Sequence, residues 1–278
     1  GDDTWFFSSD IVILAAGAIN TPIILLNSKS SLHPNGLSNS SKLVGKNLMN
    51  LQMTCILQRA NSTTSGYFAK SLGINDYYFG DKNVNFPLGH VQTGGGVLRD
   101  AFFAESPPVL SLITKVIPDF GLKRLAKRSI SWWAMTEVLP DEENEVTIQN
   151  NKIKINYLHN NLEAHDRLVY RWLDTLKSME KNPLSVSITR TPAHPRGLAP
   201  LSIVGYACGT CKMGNDPIIS VVDKNCKSHD IDNLYISDAS IFPSCPSIGH
   251  GLTVIALSIK LADYLTAENV RKPLICRP

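Results

Sequence analysis

The sequence lacks a long apolar segment, which limits where the chain can reside. Its longest uninterrupted apolar stretch, "IVILAAGAI", falls far short of the ~20 residues that a transmembrane helix needs. We therefore expect no membrane span and favour a soluble, cytoplasmic protein. No basic-then-apolar signal segment opens the chain, and the first residue is Gly rather than Met. We expect that something was removed from the chain or that it is a piece of a longer one.

The sequence also lacks a run of like charges. Its 27 basic and 24 acidic residues give a net charge of +3 and are mixed along the chain. This distribution predicts no nucleic-acid partner and no binding to an anionic membrane surface. The densest basic cluster is expected to be a solvated helix face: Lys123, Arg124, Lys127 and Arg128.

Cysteine is too sparse for a disulfide scaffold, with six residues in 278. Cys208 and Cys211 form a single CxxC, which raises a dithiol or zinc interpretation. Neither a second CxxC nor histidines at ligand spacing accompany it. We therefore predict no metal site and retain redox chemistry only as a minor alternative.

A strand, a glycine turn and a helix follow one another near the start of the chain. "DIVILAAG" predicts a strand buried on both faces, as in a parallel sheet. In the next segment Thr21 can cap a helix, and Pro22 suits its first turn. This order directs backbone N–H groups and a positive dipole end at whatever lies above the sheet.

The middle of the chain predicts an antiparallel sheet with helices. "WWAMTEVLP" indicates a strand, and "EVTIQNNKIKINY" indicates a hairpin that turns at Asn150 and Asn151. Helical stripes follow. The first comprises Leu162, Val169, Trp172, Leu176 and Met179, and the second, near the C-terminus, comprises Val254, Leu257, Leu261 and Leu265. Short strands are expected near "SVVD" and "NLYISDAS".

Six segments in order resemble the glucose–methanol–choline (GMC) family of flavin-dependent oxidoreductases. They are "VILAAGAINTPIILLNS", "VGKNLMN", "LPDEENEVTI", "GTCKMGNDPIISVVD", "NLYISDASIFP" and "LTVIALSIKLADYL". The resemblance implies an α/β (α+β) fold, namely the C-terminal part of an FAD-binding Rossmann-like domain with an inserted antiparallel-sheet substrate domain. It divides the chain into 1–50 and 201–278 for the FAD-binding domain and 51–200 for the substrate domain.

The resemblance also implies that the first half of the family fold is missing. Members hold the ADP part of FAD on a GxGxxG turn, and this chain has none. "GHVQTGGG" has clustered glycines without that spacing, and we interpret it as a strand and turn of the substrate domain. A separate N-terminal FAD-binding half is therefore a candidate partner. A split sheet would leave the apolar edge of "DIVILAAG" exposed.

By resemblance, eight residues would contact FAD. Gly17, Ala18, Asn20 and Thr21 lie at the start of the first helix, Asp238 and Ala239 at a strand end, and Gly251 and Leu252 at the start of the last helix. A capped helix start suits an electron-rich ring or a phosphate. The alternative for Asp238 is a turn at a strand end, which is a common role for Asp.

Family members remove the hydroxyl proton of an alcohol and pass a hydride to the flavin. The proton needs an acceptor that is neutral near pH 7, which favours His. Of the family's two positions, the first is Tyr206 here and the second is His250. A phenol is a poor base at neutral pH but a competent donor. Tyr206 would orient the substrate oxygen while His250 takes the proton; alternatively, Tyr206 only packs and the site is inactive.

The leading hypothesis is an FAD-dependent oxidoreductase acting on the CH–OH group of a small-molecule alcohol, present as a C-terminal fragment or subunit. The alternative is a catalytically inactive remnant or interaction module without flavin. "NSS" at Asn39 and "NST" at Asn61 would accept glycans only in a secreted protein.

Overall fold

The computed structural model describes residues 7–60, 70–96, 118–180, 188–190 and 204–271, together with residues 5, 63 and 199. It is a mixed α/β structure with antiparallel sheets. Its helices are α1 (Gly17–Asn27), α2 (Asp119–Ala126), α3 (Leu162–Glu180) and α4 (Gly251–Arg271), with a 3₁₀ turn at Ala239–Ile241. Its strands are β1 (Val12–Leu14), β2 (Met49–Asn50), β3 (Gln52–Ala60), β4 (Gly73–Ile74), β5 (His90–Gly96), β6 (Ser129–Thr136), β7 (Glu145–Gln149), β8 (Lys152–Asn156), β9 (Ile188–Arg190), β10 (Ala207–Cys208) and β11 (Leu234–Ile236).

The two ends of the chain share one hydrophobic core. Strands β1 and β11 pair in parallel, and α1, β2, β10 and α4 pack around the same cluster of buried side chains. The predicted burial of β1 on both faces is wrong, because Val12 and Ile13 are 41% and 48% exposed. Among the described residues, β11 is the strand that pairs with β1.

The middle of the chain forms a five-stranded antiparallel sheet in the order β4-β5-β6-β3-β9. Helix α3 covers one face of this sheet through a second core that includes Ile56, Trp132, Leu168 and Trp172. The opposite face carries Met53 and Met135, which belong to the first core. The sheet therefore joins the two cores. The "GHVQTGGG" segment is strand β5, as predicted.

The predicted hairpin is confirmed. Strands β7 and β8 pair over five residues each, and Asn150 and Asn151 take φ angles of 51° and 57°. Positive φ at both central residues is the requirement of a type I′ turn, and asparagine tolerates it well. Its local sequence was sufficient to locate this turn.

The predicted helices are confirmed, with corrections at the ends of the α3 stripe and in the basic cluster, where Lys127 and Arg128 lie beyond the end of α2. Leu162 and Met179 are each 43% exposed, since they lie at the ends of α3 beyond the sheet that it covers. The α4 stripe contacts the first core along its length. "SVVD" does not form a strand; Val222 makes only isolated bridges to Met213 and Ser228. In the described part of the chain, no helix combines the length and apolar character that crossing a membrane requires.

Candidate functional site

Tyr206 and His250 lie in contact, although 44 positions separate them in the sequence. Tyr206 precedes β10, and His250 is the residue before α4. Their ring centroids are 5.6 Å apart, and the ring planes meet at 73°. The centroid of the Phe242 ring lies 5.0 Å from that of the imidazole. The structure thus brings together the two side chains that the sequence singled out for catalysis.

The His250 imidazole is suited to accept a proton. The residue is 7% exposed, and its Nδ1 has no hydrogen-bond partner among the described residues. Burial lowers the pKa of His250 below its usual 6.5. The ring is therefore neutral at pH 7, which is the form that a general base requires.

Gly249 allows the two rings to approach. A Cβ at this position would lie 3.0 Å from the Tyr206 ring, including its Oη atom. Any larger residue would have to displace the phenol, because contacts this short are rarely found in proteins. The glycine thus fixes how close the Tyr206 hydroxyl sits to the loop that carries His250.

Asn50 holds the backbone around Tyr206, a role that the sequence did not reveal. Its Nδ2 donates to the Val204 carbonyl at 2.8 Å, and its Oδ1 accepts from the Tyr206 N–H at 3.2 Å. The Tyr157 hydroxyl in turn donates to the Asn50 carbonyl at 3.0 Å. In the sequence, Asn50 lies at the end of a polar segment that indicates a loop. The pairing of β2 with β10 brings it next to Tyr206.

Asp238 caps the start of α1. One carboxylate oxygen accepts from the Gly17 N–H at 2.9 Å and from the Thr21 hydroxyl at 2.6 Å, while the other accepts from the Ser240 N–H at 2.8 Å. The predicted cap at Thr21 is wrong, because α1 begins four residues earlier with Ala16 as its N-cap. A carboxylate from a distant strand end caps α1 instead. Both Asp238 oxygens have protein donors, and a contact between Asp238 and a cofactor stays a prediction.

Pro22 lies inside α1, so its predicted place in the first turn is wrong, and it leaves a backbone carbonyl without its helical donor. The N–H that a helix would direct at the Ala18 carbonyl belongs to residue 22, and proline has none. The Thr210 hydroxyl replaces it with a hydrogen bond of 2.6 Å. The threonine of the "GTC" segment is therefore a structural donor to α1.

The remaining predicted FAD contacts lie at two helix starts. Ala18 is buried, Asn20 is exposed, and Leu252 is 82% exposed. A Cβ at Gly17 or Gly251 would meet no atom within 4 Å. The start of α4, with open space beside Gly251, fits an electron-rich cofactor, whereas the Gly17 N–H at the start of α1 already bonds to the Asp238 carboxylate. Ala239 directly follows Asp238 and accepts the Gly209 N–H through its carbonyl at 3.1 Å.

The CxxC motif has no property of a reactive dithiol. Cys208 and Cys211 are both fully buried. A hydrogen bond with Cys245 and burial raise the pKa of Cys208, and burial raises that of Cys211. Reactive cysteines need an exposed thiolate. Within the described ranges, no three His, Cys, Asp or Glu side chains are grouped as a metal site would require.

Two further sequence motifs have structural explanations. Asn39 is 7% exposed and its amide bonds to the Asn35 carbonyl and the Val44 N–H, so this side chain is not presented for glycosylation. Asn61 lies outside the described residues. In the basic cluster, Lys123 forms a helical ion pair with Asp119 at 2.7 Å.

Comparison with known proteins finds the family that the sequence motifs resemble. Residues 140–258 match the family model described as GMC oxidoreductase. The chain is 26% identical over 267 residues to the fructose dehydrogenase large subunit of Gluconobacter japonicus, covering 91% of this chain and 46% of that protein. It is 27% identical over 283 residues to 2-methyl-1,2-propanediol dehydrogenase of Mycolicibacterium austroafricanum, covering 93% and 48%. The chain spans about half the length of the curated relatives it matches.

Solved structures share the fold at low sequence identity. Formate oxidase of Aspergillus oryzae superimposes with a TM-score of 0.67 and 18% identity, over 95% of this chain and 55% of that one. Pyridoxine 4-oxidase of Mesorbium loti does so with a TM-score of 0.59 and 19% identity, over 93% and 52%.

Proposed function

We propose that this chain is the C-terminal part of an FAD-dependent oxidoreductase that oxidises the CH–OH group of an alcohol, because residues 140–258 match the GMC oxidoreductase family model. Two relatives are named dehydrogenases of fructose and of a propanediol, both of which carry such groups. The observation that carries the proposal is the buried, neutral His250 beside the Tyr206 ring.

The two side chains divide the work on the substrate hydroxyl. The unpartnered Nδ1 of His250 lies on a ring that can accept the hydroxyl proton. The Tyr206 hydroxyl donates a hydrogen bond that orients the substrate oxygen. FAD supplies the acceptor for the hydride when it is bound. Phe242 shields the imidazole, which keeps it neutral before the reaction.

Residues at the starts of α1 and α4 would hold the cofactor. Gly17 and Gly251 have open space beside them at these helix starts, and the N–H of Gly17 bonds to Asp238. The remaining members of this proposed set are Ala18, Asn20, Thr21, Asp238, Ala239 and Leu252. In this proposal, residues 1–50 and 201–278 form part of a Rossmann-like FAD-binding domain, and residues 51–200 are the inserted substrate domain.

An N-terminal FAD-binding half is the proposed partner. Helix α4 exposes Leu252, Ile255 and Ile259 at helical spacing, by 82%, 56% and 58%. Among the described residues strand β1 pairs with β11 on one edge, and Val12 and Ile13, on its two faces, are exposed. Apolar helix faces and open strand edges are surfaces that proteins normally cover. An Ile255→Asp substitution should make the isolated chain more soluble and weaken its association with that half in sedimentation experiments.

The first test is the visible absorption of the purified chain after incubation with FAD and desalting, alone and with the N-terminal half. A retained flavin band that primary alcohols bleach without oxygen supports the proposal. His250→Ala should abolish bleaching while retaining the band, and His33→Ala is the matched control. Full activity of a flavin-loaded His250→Ala protein would contradict the assignment of His250 as the base. A protein that stays colourless in both settings supports the non-catalytic alternative.

A further inference from the structure

The Asn50 side chain bonds to the backbone on both sides of Gly205. Its Nδ2 donates to the Val204 carbonyl at 2.8 Å, and its Oδ1 accepts from the Tyr206 N–H at 3.2 Å. Strand pairing adds a third constraint, because Asn50 lies opposite Ala207 in the register of β2 with β10. One residue therefore determines where the backbone of Tyr206 lies.

Gly205 explains why this segment needs a support from elsewhere in the chain. The residue is exposed, and a Cβ at its position would meet no atom within 4 Å. Glycine also loses more conformational freedom on folding than any other residue. The Asn50 amide therefore restrains the backbone at a point where no side chain packs.

Tyr157 holds the main chain of Asn50. This tyrosine directly follows β8, and its hydroxyl donates to the Asn50 carbonyl at 3.0 Å. The His159 ring packs edge-on against the phenol, with ring centroids 5.2 Å apart. Burial raises the pKa of the Tyr157 hydroxyl, so it stays protonated and remains a donor throughout the pH range of an activity assay. The end of the β7–β8 hairpin is thus bonded to the strand that supports Tyr206.

The Tyr206 ring depends on this backbone for its position. The ring packs against Gly249, and its centroid lies 5.6 Å from that of His250. A Cβ at Gly249 would lie 3.0 Å from the phenol, so there is little free space between the ring and the loop that carries His250. A Tyr206 backbone released by Asn50 would therefore carry the ring away from His250.

From this series of contacts we propose that Asn50 and Tyr157 are positioning residues. Tyr157 holds the main chain of Asn50, and the Asn50 amide holds Tyr206 so that its hydroxyl meets the substrate oxygen beside His250. The inference rests on the proposed function for the role of Tyr206. Neither positioning residue contacts the substrate. A displacement of about 1 Å at a group that acts on the substrate can cost ~10²-fold in rate, so supports of this kind matter for catalysis.

The first test needs no flavin and follows the imidazole signals of His250 by NMR in the 278-residue chain, assigned by their absence from His250→Gln. An aromatic ring shifts the signals of nuclei beside it, so these signals report where the Tyr206 ring lies. Tyr157→Phe removes one hydroxyl and Asn50→Leu removes both amide bonds; each should shift the His250 signals, and neither should do so in a Tyr206→Leu background. Tyr170→Phe, the same change at a tyrosine of α3 that is 66% exposed, is the control and should leave them in place.

The second test measures kcat in the flavin-loaded complex with the N-terminal half. Tyr157→Phe should lower kcat about tenfold, but less than about twofold when Tyr206→Phe is already present, because both changes act on one hydroxyl. A merely structural role would give equal losses in the two backgrounds. Circular dichroism verifies that each variant is folded.

His250 signals that stay in place in Tyr157→Phe and Asn50→Leu would overturn the inference, as would equal losses of kcat with and without the Tyr206 hydroxyl. Shifted His250 signals in a protein that oxidises no alcohol support the positioning of Tyr206 and contradict the proposed function. The two failures are therefore distinguishable.

Discussion

His165 makes the stability of the protein fall in mild acid. This histidine is 1% exposed between α3 and the sheet, where Thr54 and Thr136 bond to its two ring nitrogens at 2.7 and 3.0 Å. Burial lowers its pKa from 6.5 to about 4, and the neighbouring His159 adds to the effect. At a pH between these two pKa values, the unfolded chain therefore binds a proton at this histidine, whereas the folded chain does not.

The size of the effect follows from linkage. A depressed histidine pKa leaves stability unaffected well above pH 6.5, lowers it as the pH falls toward 4, and adds no further loss below that. One pKa unit corresponds to ~1.36 kcal/mol, so the full loss is about 3 kcal/mol. Between pH 7 and pH 5 the loss is about 2 kcal/mol.

The assay is urea unfolding followed by tryptophan fluorescence at pH 7 and pH 5. Burial also lowers the pKa of His90, His159 and His250, which adds losses of the same sign. The comparison with His165→Gln isolates the effect of this residue, because glutamine can bond to both threonine hydroxyls but does not titrate. The variant should lose about 2 kcal/mol less than the unmodified protein over this interval. Equal losses in the two proteins would refute the reasoning.

Three other predictions follow from the site. Thr210→Val removes the donor to the Ala18 carbonyl and should lower the free energy of unfolding by about 1–3 kcal/mol in urea titrations. Thr210→Ser retains the donor and is the control. Equal stability of the two variants would contradict the idea that the Thr210 hydroxyl replaces the N–H that Pro22 lacks. Asp238→Asn keeps its shape but weakens the charge-assisted bonds to the start of α1, so its unfolding midpoint in urea should drop, and a Thr21→Val change made on top of it should cost less than the same change alone. For the flavin-loaded protein, kcat/KM should be constant above pH 6.5 and fall only below the lowered pKa of His250, and a decline that begins above pH 7 would exclude that residue as the base.

Local patterns in the sequence predicted the elements whose causes are local. Asn150 and Asn151 define the hairpin turn through their own backbone preferences, and the apolar spacing of α3 defines its buried face. The family resemblance placed Tyr206 and His250 at one site but did not predict that their rings are in contact, and their separation along the chain offers no physical cue. Substrate-facing roles of individual residues stay predictions.

What the sequence did not reveal depends on contacts between distant segments. The start of α1 was misplaced because its cap is Asp238, 221 positions from Gly17. The role of Asn50 depends on a partner 156 positions away. Both side chains are of types that are common in loops, so nothing in their neighbourhood distinguishes them before the strands pair.

The dependence of α1 on Thr210 and Asp238 sets an order for assembly during synthesis. The hydroxyl that donates to the Ala18 carbonyl belongs to Thr210, 192 positions later in the chain. The carboxylate that accepts the Gly17 N–H belongs to Asp238, 221 positions later. At ~5–20 residues per second, the ribosome needs roughly ten to forty seconds to supply them. Helix α1 is therefore completed only after the later segments of this chain have been synthesised, and strand β1 lacks its partner β11 for the same interval.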